Sequence, residues 1–285
     1  MPDTLAMRLR AYPRARNAGW VVLPILVIAG LFFYPLALIV RQAFVDDAGV
    51  TAIQPFLGVL HSRYFAHALL NTIEISTSAT AGCLALGLVL ALILTFVPFP
   101  GSVLVGRLVD TFIALPTFLV TLAFTFIYGS AGILNSLLQQ HFGFAQPPVQ
   151  FLYSAWGVIF AEITVYLPFV LRPLLASLSL MDPSQIEVAS TLGARPWRVI
   201  RQVILPAAFP ALIAGGSLCL LLTINEFGVV LFIGAKGVTT LPLLIYSKAI
   251  QESDYQAACI IAVINIVLSL GLFGLYRAAA RRLGA

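Results

Sequence analysis

The sequence predicts an all-α membrane protein with six transmembrane helices in one membrane domain. Of its 285 residues, 60% are hydrophobic and 9% are charged, and the mean hydropathy is +1.01. A soluble domain carries about a quarter charged residues. The apolar residues are also gathered into runs that reach the length of about 20 residues needed for a helix to cross a bilayer. These runs are too long for barrel strands and lack their alternation.

Six runs qualify as spanning helices, and together they occupy nearly half of the chain, so no room remains for a soluble domain. The predicted spans are 20–40, 72–97, 108–128, 151–171, 208–233 and 257–275. Residues 1–19 are expected to form an N-terminal tail, and residues 20–285 the membrane domain. Prolines within or beside the spans are expected to kink them, as neighbouring helices in a membrane tolerate: Pro35, Pro116, Pro168 and Pro173.

The basic residues predict the orientation. With the N-terminus in the cytoplasm, twelve of the 16 lysines and arginines fall on the cytoplasmic side, which is the bias of the positive-inside rule. Both termini are then cytoplasmic. The same bias explains the net charge of +5 and the pI of 9.3 without a nucleic-acid partner. The first apolar run is too long for a signal peptide, so an uncleaved anchor is expected.

The residue types argue against catalysis by this chain. Its two lysines, Lys236 and Lys248, do not follow a glycine, so the phosphate-binding loop G-x-x-x-x-G-K-[ST] is absent from the sequence. The histidines lack ligand spacing, and the three cysteines lie inside apolar runs, where cysteine packs as a small hydrophobe. We therefore expect no catalytic residue, no metal site and no cofactor. The histidines are His61, His67 and His141, and the cysteines are Cys83, Cys219 and Cys259.

A polar insert at 182–206 separates the fourth and fifth runs, and its first half predicts a short capped helix. Asp182 and Pro183 have the order of an N-cap and first helical residue, with Gln185 at the capping-box position. The helix is expected to reach about Leu192 and to end at Gly193, which is able to adopt the left-handed conformation.

The second half of the insert predicts an amphipathic helix that begins at Pro196 and ends at Pro206. Two faces follow from helical spacing. The apolar face comprises Trp197, Ile200, Val203 and Ile204, and the polar face Arg198, Arg201 and Gln202. By themselves these residues favour a lipid-surface helix and a partner-binding helix equally.

The spacing within the insert resembles the signature loop of the inner-membrane permease subunits of ATP-binding-cassette (ABC) importers. That pattern reads roughly E-A-A, three residues, G, nine residues, I-x-L-P. The matching residues are Glu187, Ala189, Gly193, Ala194, Ile204, Leu205 and Pro206. Val188 departs from the pattern at the middle alanine. The segment 65–76, FAHALLNTIEIS, is similar to the entry into the family's core helices, and the resemblance extends from about Tyr34 to the C-terminus.

The resemblance implies a type I ABC importer permease (MetI-like) fold with a cytoplasmic coupling helix, in a bacterial inner membrane. It implies separate ATPase subunits that bind the coupling helix, a second permease subunit that is either a copy or a relative, and a periplasmic substrate-binding protein. The residues expected to couple to the ATPase are Glu187, Ala189, Gly193, Ala194, Arg195, Arg198, Leu205 and Pro206. Each arginine also serves as a topology anchor near anionic lipid.

Polar residues inside the spans are candidates for the translocation pathway, because ionisable groups in a membrane are costly. Glu162 lies in the fourth run, with Tyr166 one helical turn on and therefore on the same face. Asn225 and Glu226 interrupt the fifth run. The alternative for all four is interhelical hydrogen bonding.

The substrate is predicted by similarity alone. The segments 225–251 and 32–44 are most similar to permeases for 2-aminoethylphosphonate, in a branch that also serves polyamines, ferric iron, thiamine and sulfate-type anions. The Leu-Pro-Leu-Leu-Ile-Tyr run at 241–246 is expected to re-enter the membrane edge, to dock the binding protein or to pack against the other subunit. The alternatives of other classes are a proton-coupled secondary transporter and a structural membrane protein.

Overall fold

The computed structural model describes residues 18–45 and 53–282. Within these ranges six helices are long and apolar enough to cross a membrane, which confirms the predicted architecture. They are Trp20–Phe44, Arg63–Phe96, Thr117–Phe142, Ala155–Ser179, Pro196–Ile224 and Tyr255–Arg282. The predicted tail, 1–19, and four of the arginines used for the orientation lie largely outside the described ranges.

The α-helices are numbered in chain order. They are α1 Ala18–Ile28, α2 Tyr34–Phe44, α3 Gln54–His61, α4 Arg63–Phe96, α5 Ser102–Ala114, α6 Thr117–Tyr128, α7 Ile133–Phe142, α8 Ala155–Ser179, α9 Ser184–Thr191, α10 Pro196–Val199, α11 Leu205–Ile224, α12 Gly228–Ile233, α13 Leu241–Tyr246 and α14 Tyr255–Arg282. A π-helical turn, Ala29–Phe33, joins α1 to α2, and another, Ile200–Ile204, joins α10 to α11.

The third predicted span, 108–128, is wrong as one continuous helix. The chain leaves the helical conformation at Leu115 (φ −85°, ψ 133°), and Pro116 precedes α6. Proline has no N–H to donate and disfavours the helical conformation of the residue before it. Pro116, which was expected to kink a continuous span, instead separates α5 from α6, and the apolar segment that follows is Thr117–Phe142. By contrast, α8 continues through Pro168 and Pro173.

The core of the chain is formed where α4, α8 and α11 pack against one another. Small residues allow the close approach, as is usual between membrane helices. A Cβ atom added to Gly215 of α11 would lie 3.0 Å from the Cα atom of Val170 on α8. Cys83 and Cys219 are fully buried in this core.

The helix that begins at Pro196 does not end at Pro206, contrary to the sequence prediction. It continues through the π-helical turn into α11, where Pro206 lies in the first turn. The Leu205 N–H bonds to the Ile200 carbonyl in the π pattern. Pro206 has no N–H to donate. The wider π-helical turn shifts the hydrogen-bonding pattern of the residues just before it, so the helix tolerates this proline.

The segment between α11 and α14 folds back onto this chain's own helices. Leu241 and Leu244 of α13 are buried against Phe65 of α4 and Ile261 of α14. The Asn71 side chain donates hydrogen bonds to the carbonyls of Gly237 and Thr239, and the Leu241 N–H donates to the Thr72 hydroxyl at 2.8 Å. The Leu241–Tyr246 run therefore packs within its own chain, and its three predicted roles, re-entry, docking of the binding protein and packing against the other subunit, stay predictions.

Candidate functional site

The insert at 182–206, hereafter the signature loop, is a helix, a tight turn and a second helix. The Asp182 carboxylate accepts a hydrogen bond from the Ser184 N–H at 2.9 Å, and this bond holds the pKa of Asp182 below its ordinary value.

The turn is closed at Gly193, which has a φ of +80°. The Ala194 N–H donates to the Ala189 carbonyl, and the Gly193 N–H donates to the Ser190 carbonyl, both at 3.0 Å. This pair of bonds is the Schellman ending of a helix, and the residue at its left-handed position is usually glycine. The predicted helix stop at Gly193 is confirmed.

The predicted coupling residues divide between two sides of the loop. Ala189, Ala194 and Leu205 are half-buried, and the two alanines pack against the core. The other predicted residues are exposed: Glu187, Gly193, Arg195, Arg198 and Pro206. The small residues therefore hold the loop against the membrane helices, while the charged residues face outward.

The apolar face of the second helix agrees with the prediction at Ile204, which is buried, and at Ile200 and Val203, which are half-buried. It differs at Trp197, which is 71% exposed, and at Val199, which is buried. The outward side of the loop thus combines an indole ring with arginines.

Two carboxylic side chains, those of Glu162 and Glu226, are buried in the described part of the chain. Glu162 and Tyr166 project from one face of α8, and Glu226 lies in the break between α11 and α12; all three are at most 7% exposed. The Tyr166 hydroxyl donates a hydrogen bond to Glu226 Oε2, and Glu226 Oε1 accepts the Val229 N–H at 2.8 Å. The structure therefore brings three of the four predicted pathway residues together.

Glu162 is the less satisfied of the two carboxylates. Its Oε2 atom is buried and has no hydrogen-bond partner among the described residues. A buried carboxylate without a partner is costly, and the Glu162 side chain is unsatisfied within the described part of the chain.

Asn225, the fourth predicted residue, is exposed and belongs to a different set of contacts. Its Oδ1 atom accepts a hydrogen bond from Asn265 on α14 at 3.0 Å, and its Nδ2 atom donates to the Leu221 carbonyl at 2.8 Å. The sequence reasoning missed Asn265, although a lone amide within the apolar run 257–275 was an available signal.

Two hollows complete the site. The first, which we name the α13 cleft, has a volume of about 1180 Å³ and lies among α3, α13 and the first turns of α4 and α14. Lys248 and Glu252, which are paired at 2.6 Å, line it together with Asp254. The sequence reasoning missed this cleft; the charges clustered at 248–254 were its only signal.

The second hollow, which we name the α4–α10 groove, has a volume of about 370 Å³. It lies between the last turns of α4 and the signature loop. Its lining residues are Leu92, Ile93, Phe96, Val97, Ile186, Ser190, Ala194, Pro196, Val199, Ile200 and Ile204.

Comparison with known proteins identifies the family. Residues 84–285 match the model of the binding-protein-dependent transport system inner membrane component. The chain belongs to this family. It is thus the multi-pass permease subunit of an ABC importer, which confirms the resemblance carried by the signature loop.

The relatives of this permease match between 65% and 93% of its length. It is 66% identical over 265 residues to a protein of Salmonella typhimurium strain LT2, covering 93% of each chain; that relative carries a provisional assignment as PhnU, a permease protein of a 2-aminoethylphosphonate transport system. It is 34% identical over 186 residues to the sulfate transport system permease protein CysT of Escherichia coli K12, covering 65% of each chain.

Solved structures confirm the fold of the permease. The crystal structure of a bacterial ABC transporter that imports the acidic polysaccharide alginate superposes with a TM-score of 0.82 at 20% identity. The match covers 95% of this permease and 98% of that chain. At this identity the likeness concerns the fold alone.

Proposed function

We propose that this permease imports 2-aminoethylphosphonate. The observation that carries the proposal is the identity of 66% to the Salmonella protein across 93% of both chains. The more distant sulfate permeases, at 34–35% identity, make a sulfate-type anion the second candidate. Polyamines, ferric iron and thiamine are the remaining candidate substrates.

The transport cycle requires partners that this chain does not contain. Separate ATPase subunits bind and hydrolyse ATP, a periplasmic protein delivers the solute, and a second permease subunit completes the pathway. This chain lacks the phosphate-binding loop in its sequence and is the non-catalytic subunit. The proposed orientation places both termini and the signature loop in the cytoplasm of a bacterial cell, with the α13 cleft on the periplasmic side.

The signature loop is proposed to transmit ATPase closure to the membrane helices. Its outward side presents Glu187, Arg195 and Arg198 to the ATPase, and its inward side rests Ala189 and Ala194 on the core. Because the second helix continues into α11, a displacement of the loop moves α11 with it. This is rigid-body coupling of two domains.

Glu162, Tyr166, Asn225 and Glu226 are proposed to serve the pathway. The Glu226 carboxylate supplies negative charge for an ammonium group, and the buried Glu162 carboxyl supplies a further oxygen acceptor for its N–H groups. Since three of these residues are buried within one chain, the proposal requires that α11 and α12 move during the cycle. The break at 225–227 provides the place for that movement.

The test is transport by the complete complex in proteoliposomes. The permease, ATPase and binding protein are purified together, and uptake of labelled 2-aminoethylphosphonate is measured with enclosed ATP. We expect uptake that requires ATP and that resists excess sulfate, spermidine and thiamine. Competition by sulfate would indicate a sulfate-type anion as the substrate instead. Uptake driven by a proton gradient without ATP would favour a secondary transporter.

A further inference from the structure

We propose that the α4–α10 groove binds one acyl chain of an anionic phospholipid, with the lipid headgroup held by arginines of the signature loop. This inference rests on the proposed cytoplasmic placement of that loop. It concerns a site separate from the substrate pathway, although two of these arginines, Arg195 and Arg198, also belong to the outward side of the loop.

The lining of the groove selects an apolar occupant. None of its eleven lining residues is charged, and its one hydroxyl, that of Ser190, already donates to the Ile186 carbonyl at 2.8 Å. A peptide segment would bring backbone N–H and C=O groups that need hydrogen-bond partners. The groove offers none, whereas a hydrocarbon chain needs none.

The position of the groove corresponds to the edge of a bilayer. Its α4 wall comprises Leu92, Ile93, Phe96 and Val97, the last residues of a membrane-crossing helix. Its other wall is the polar loop that leaves the membrane. Acyl chains end and headgroups begin at this depth. The volume of 370 Å³ is within the range of about 300 to 1,000 Å³ that is usual for small-ligand sites.

The charges beside the groove select an anionic headgroup. Residues 195–201 contain Arg195, Arg198 and Arg201 and no acidic residue, and all three arginines are exposed. They alternate with Pro196, Val199 and Ile200, which line the groove. Arginine pairs with phosphate through two parallel hydrogen bonds, and basic pockets at this side of a membrane bind anionic lipid headgroups.

Trp197 provides a reporter beside the groove. The sequence has three tryptophans, so a Trp20→Phe/Trp156→Phe background leaves Trp197 as the one indole of the permease, next to Pro196 of the lining, and the difference from the same complex carrying Trp197→Phe gives its signal. The intact complex is placed in phosphatidylcholine nanodiscs that contain a small fraction of either phosphatidylglycerol or phosphatidylcholine with brominated acyl chains. We expect brominated phosphatidylglycerol to quench Trp197 more strongly at equal mole fraction.

Two valines provide matched variants. Val97 lines the groove and is 51% exposed, whereas Val89, on the same helix, is 50% exposed and lies outside it. Val97→Phe is expected to reduce quenching by phosphatidylglycerol to the phosphatidylcholine level, and Val89→Phe to leave it unchanged. If the complex with Val97→Phe does not assemble, Ser190→Phe on the opposite wall is the second groove-filling variant and is expected to reduce the quenching in the same way. Arg198→Gln is expected to weaken the phosphatidylglycerol effect about fivefold.

Equal quenching by the two lipids, or quenching that survives both groove-filling variants, would overturn the proposal. Quenching that is seen with the isolated permease but lost when the ATPase binds would assign the groove to the ATPase instead. The measurement uses no transported solute. An error in the proposed substrate therefore leaves its outcome unaffected.

Discussion

Tyr166 of α8 donates its hydroxyl hydrogen to the carboxylate of Glu226, the residue at which the fifth span breaks. The same carboxylate accepts the Val229 N–H of the short helix that follows the break. The Glu226 side chain thus joins the break in the fifth span to α8 and to the start of α12.

Removing the Tyr166 hydroxyl is expected to destabilise the permease. Tyr166→Phe leaves Glu226 Oε2 buried without its donor, which costs about 1–3 kcal/mol. Thermal unfolding of the purified protein measures the change. Tyr64, which is 82% exposed, supplies the control, because Tyr64→Phe is expected to leave the melting temperature unchanged. Equal melting temperatures for both variants would show that the bond contributes nothing.

Neutralising the buried carboxylates is expected to impair transport rather than assembly. Glu226→Gln and Glu162→Gln keep the side-chain shape but replace one carboxyl oxygen offered to a cationic group by an amide NH2. Hydrogen bonds to charged groups are worth about 1.5–3 kcal/mol, so we expect uptake to fall about tenfold or more. ATPase co-purification is expected to stay normal. Unchanged uptake in both variants would remove these residues from the pathway.

The turn of the signature loop is expected to require glycine or asparagine at position 193. Gly193 has a φ of +80°, and a Cβ atom there would meet nothing within 4 Å. The effect of a substitution is therefore conformational, with a cost of about 1–2 kcal/mol in the left-handed region. Gly193→Val is expected to uncouple ATP hydrolysis from uptake in proteoliposomes. Gly193→Asn, which tolerates this conformation, is expected to retain most of the coupling.

The contact between α8 and α11 is expected to exclude a larger side chain. Gly215→Leu forces atoms against the Val170 backbone, whereas Gly271→Leu on α14 meets nothing within 4 Å of its Cβ atom. Overpacking costs about 1–3 kcal/mol. We expect Gly215→Leu to lower the melting temperature and Gly271→Leu to leave it nearly unchanged. The prediction fails if the two variants melt alike.

The first helix of the signature loop is expected to depend on the Asp182 carboxylate. Asp182→Ala removes the acceptor for the Ser184 N–H and is expected to speed hydrogen exchange in residues 184–191. Asp182→Asn retains an oxygen acceptor and is expected to preserve much of the protection. The folded-state pKa of Asp182 is lowered. The contribution of its charge is therefore complete above the unfolded-state pKa and declines as the pH falls through the folded-state pKa.

The sequence predicted the membrane helices well where apolar length alone decides. It placed the start of the second span at residue 72, whereas α4 begins at Arg63. The first turns of α4 contain polar residues, so the apolar run begins later than the helix does. It noted that Asn225 and Glu226 interrupt the fifth apolar run but extended that span to residue 233, whereas α11 ends at Ile224. It did not predict the bond from Tyr166 to Glu226, since sixty residues separate the two positions and only packing brings them together.

The signature loop shows the same division between local and long-range effects. Its stop at Gly193 follows from backbone chemistry that acts within six residues, and the sequence contains that information. The exposure of Trp197 and the burial of Val199 depend instead on how the loop packs against the other helices, which helical spacing does not reveal. The α4–α10 groove depends on two segments about ninety residues apart, so no spacing rule indicates it.

Helix α4 runs without interruption from Arg63 to Phe96 and contains no proline. At 1.5 Å per residue its 34 residues extend for about 50 Å. One end holds the 237–241 segment through Asn71 and Thr72, and the other end forms a wall beside the signature loop. If one end of α4 moves sideways at one surface of the membrane, the helix tilts as a rigid rod. Its other end then moves in the reverse direction at the opposite surface, because no break within the helix absorbs the motion.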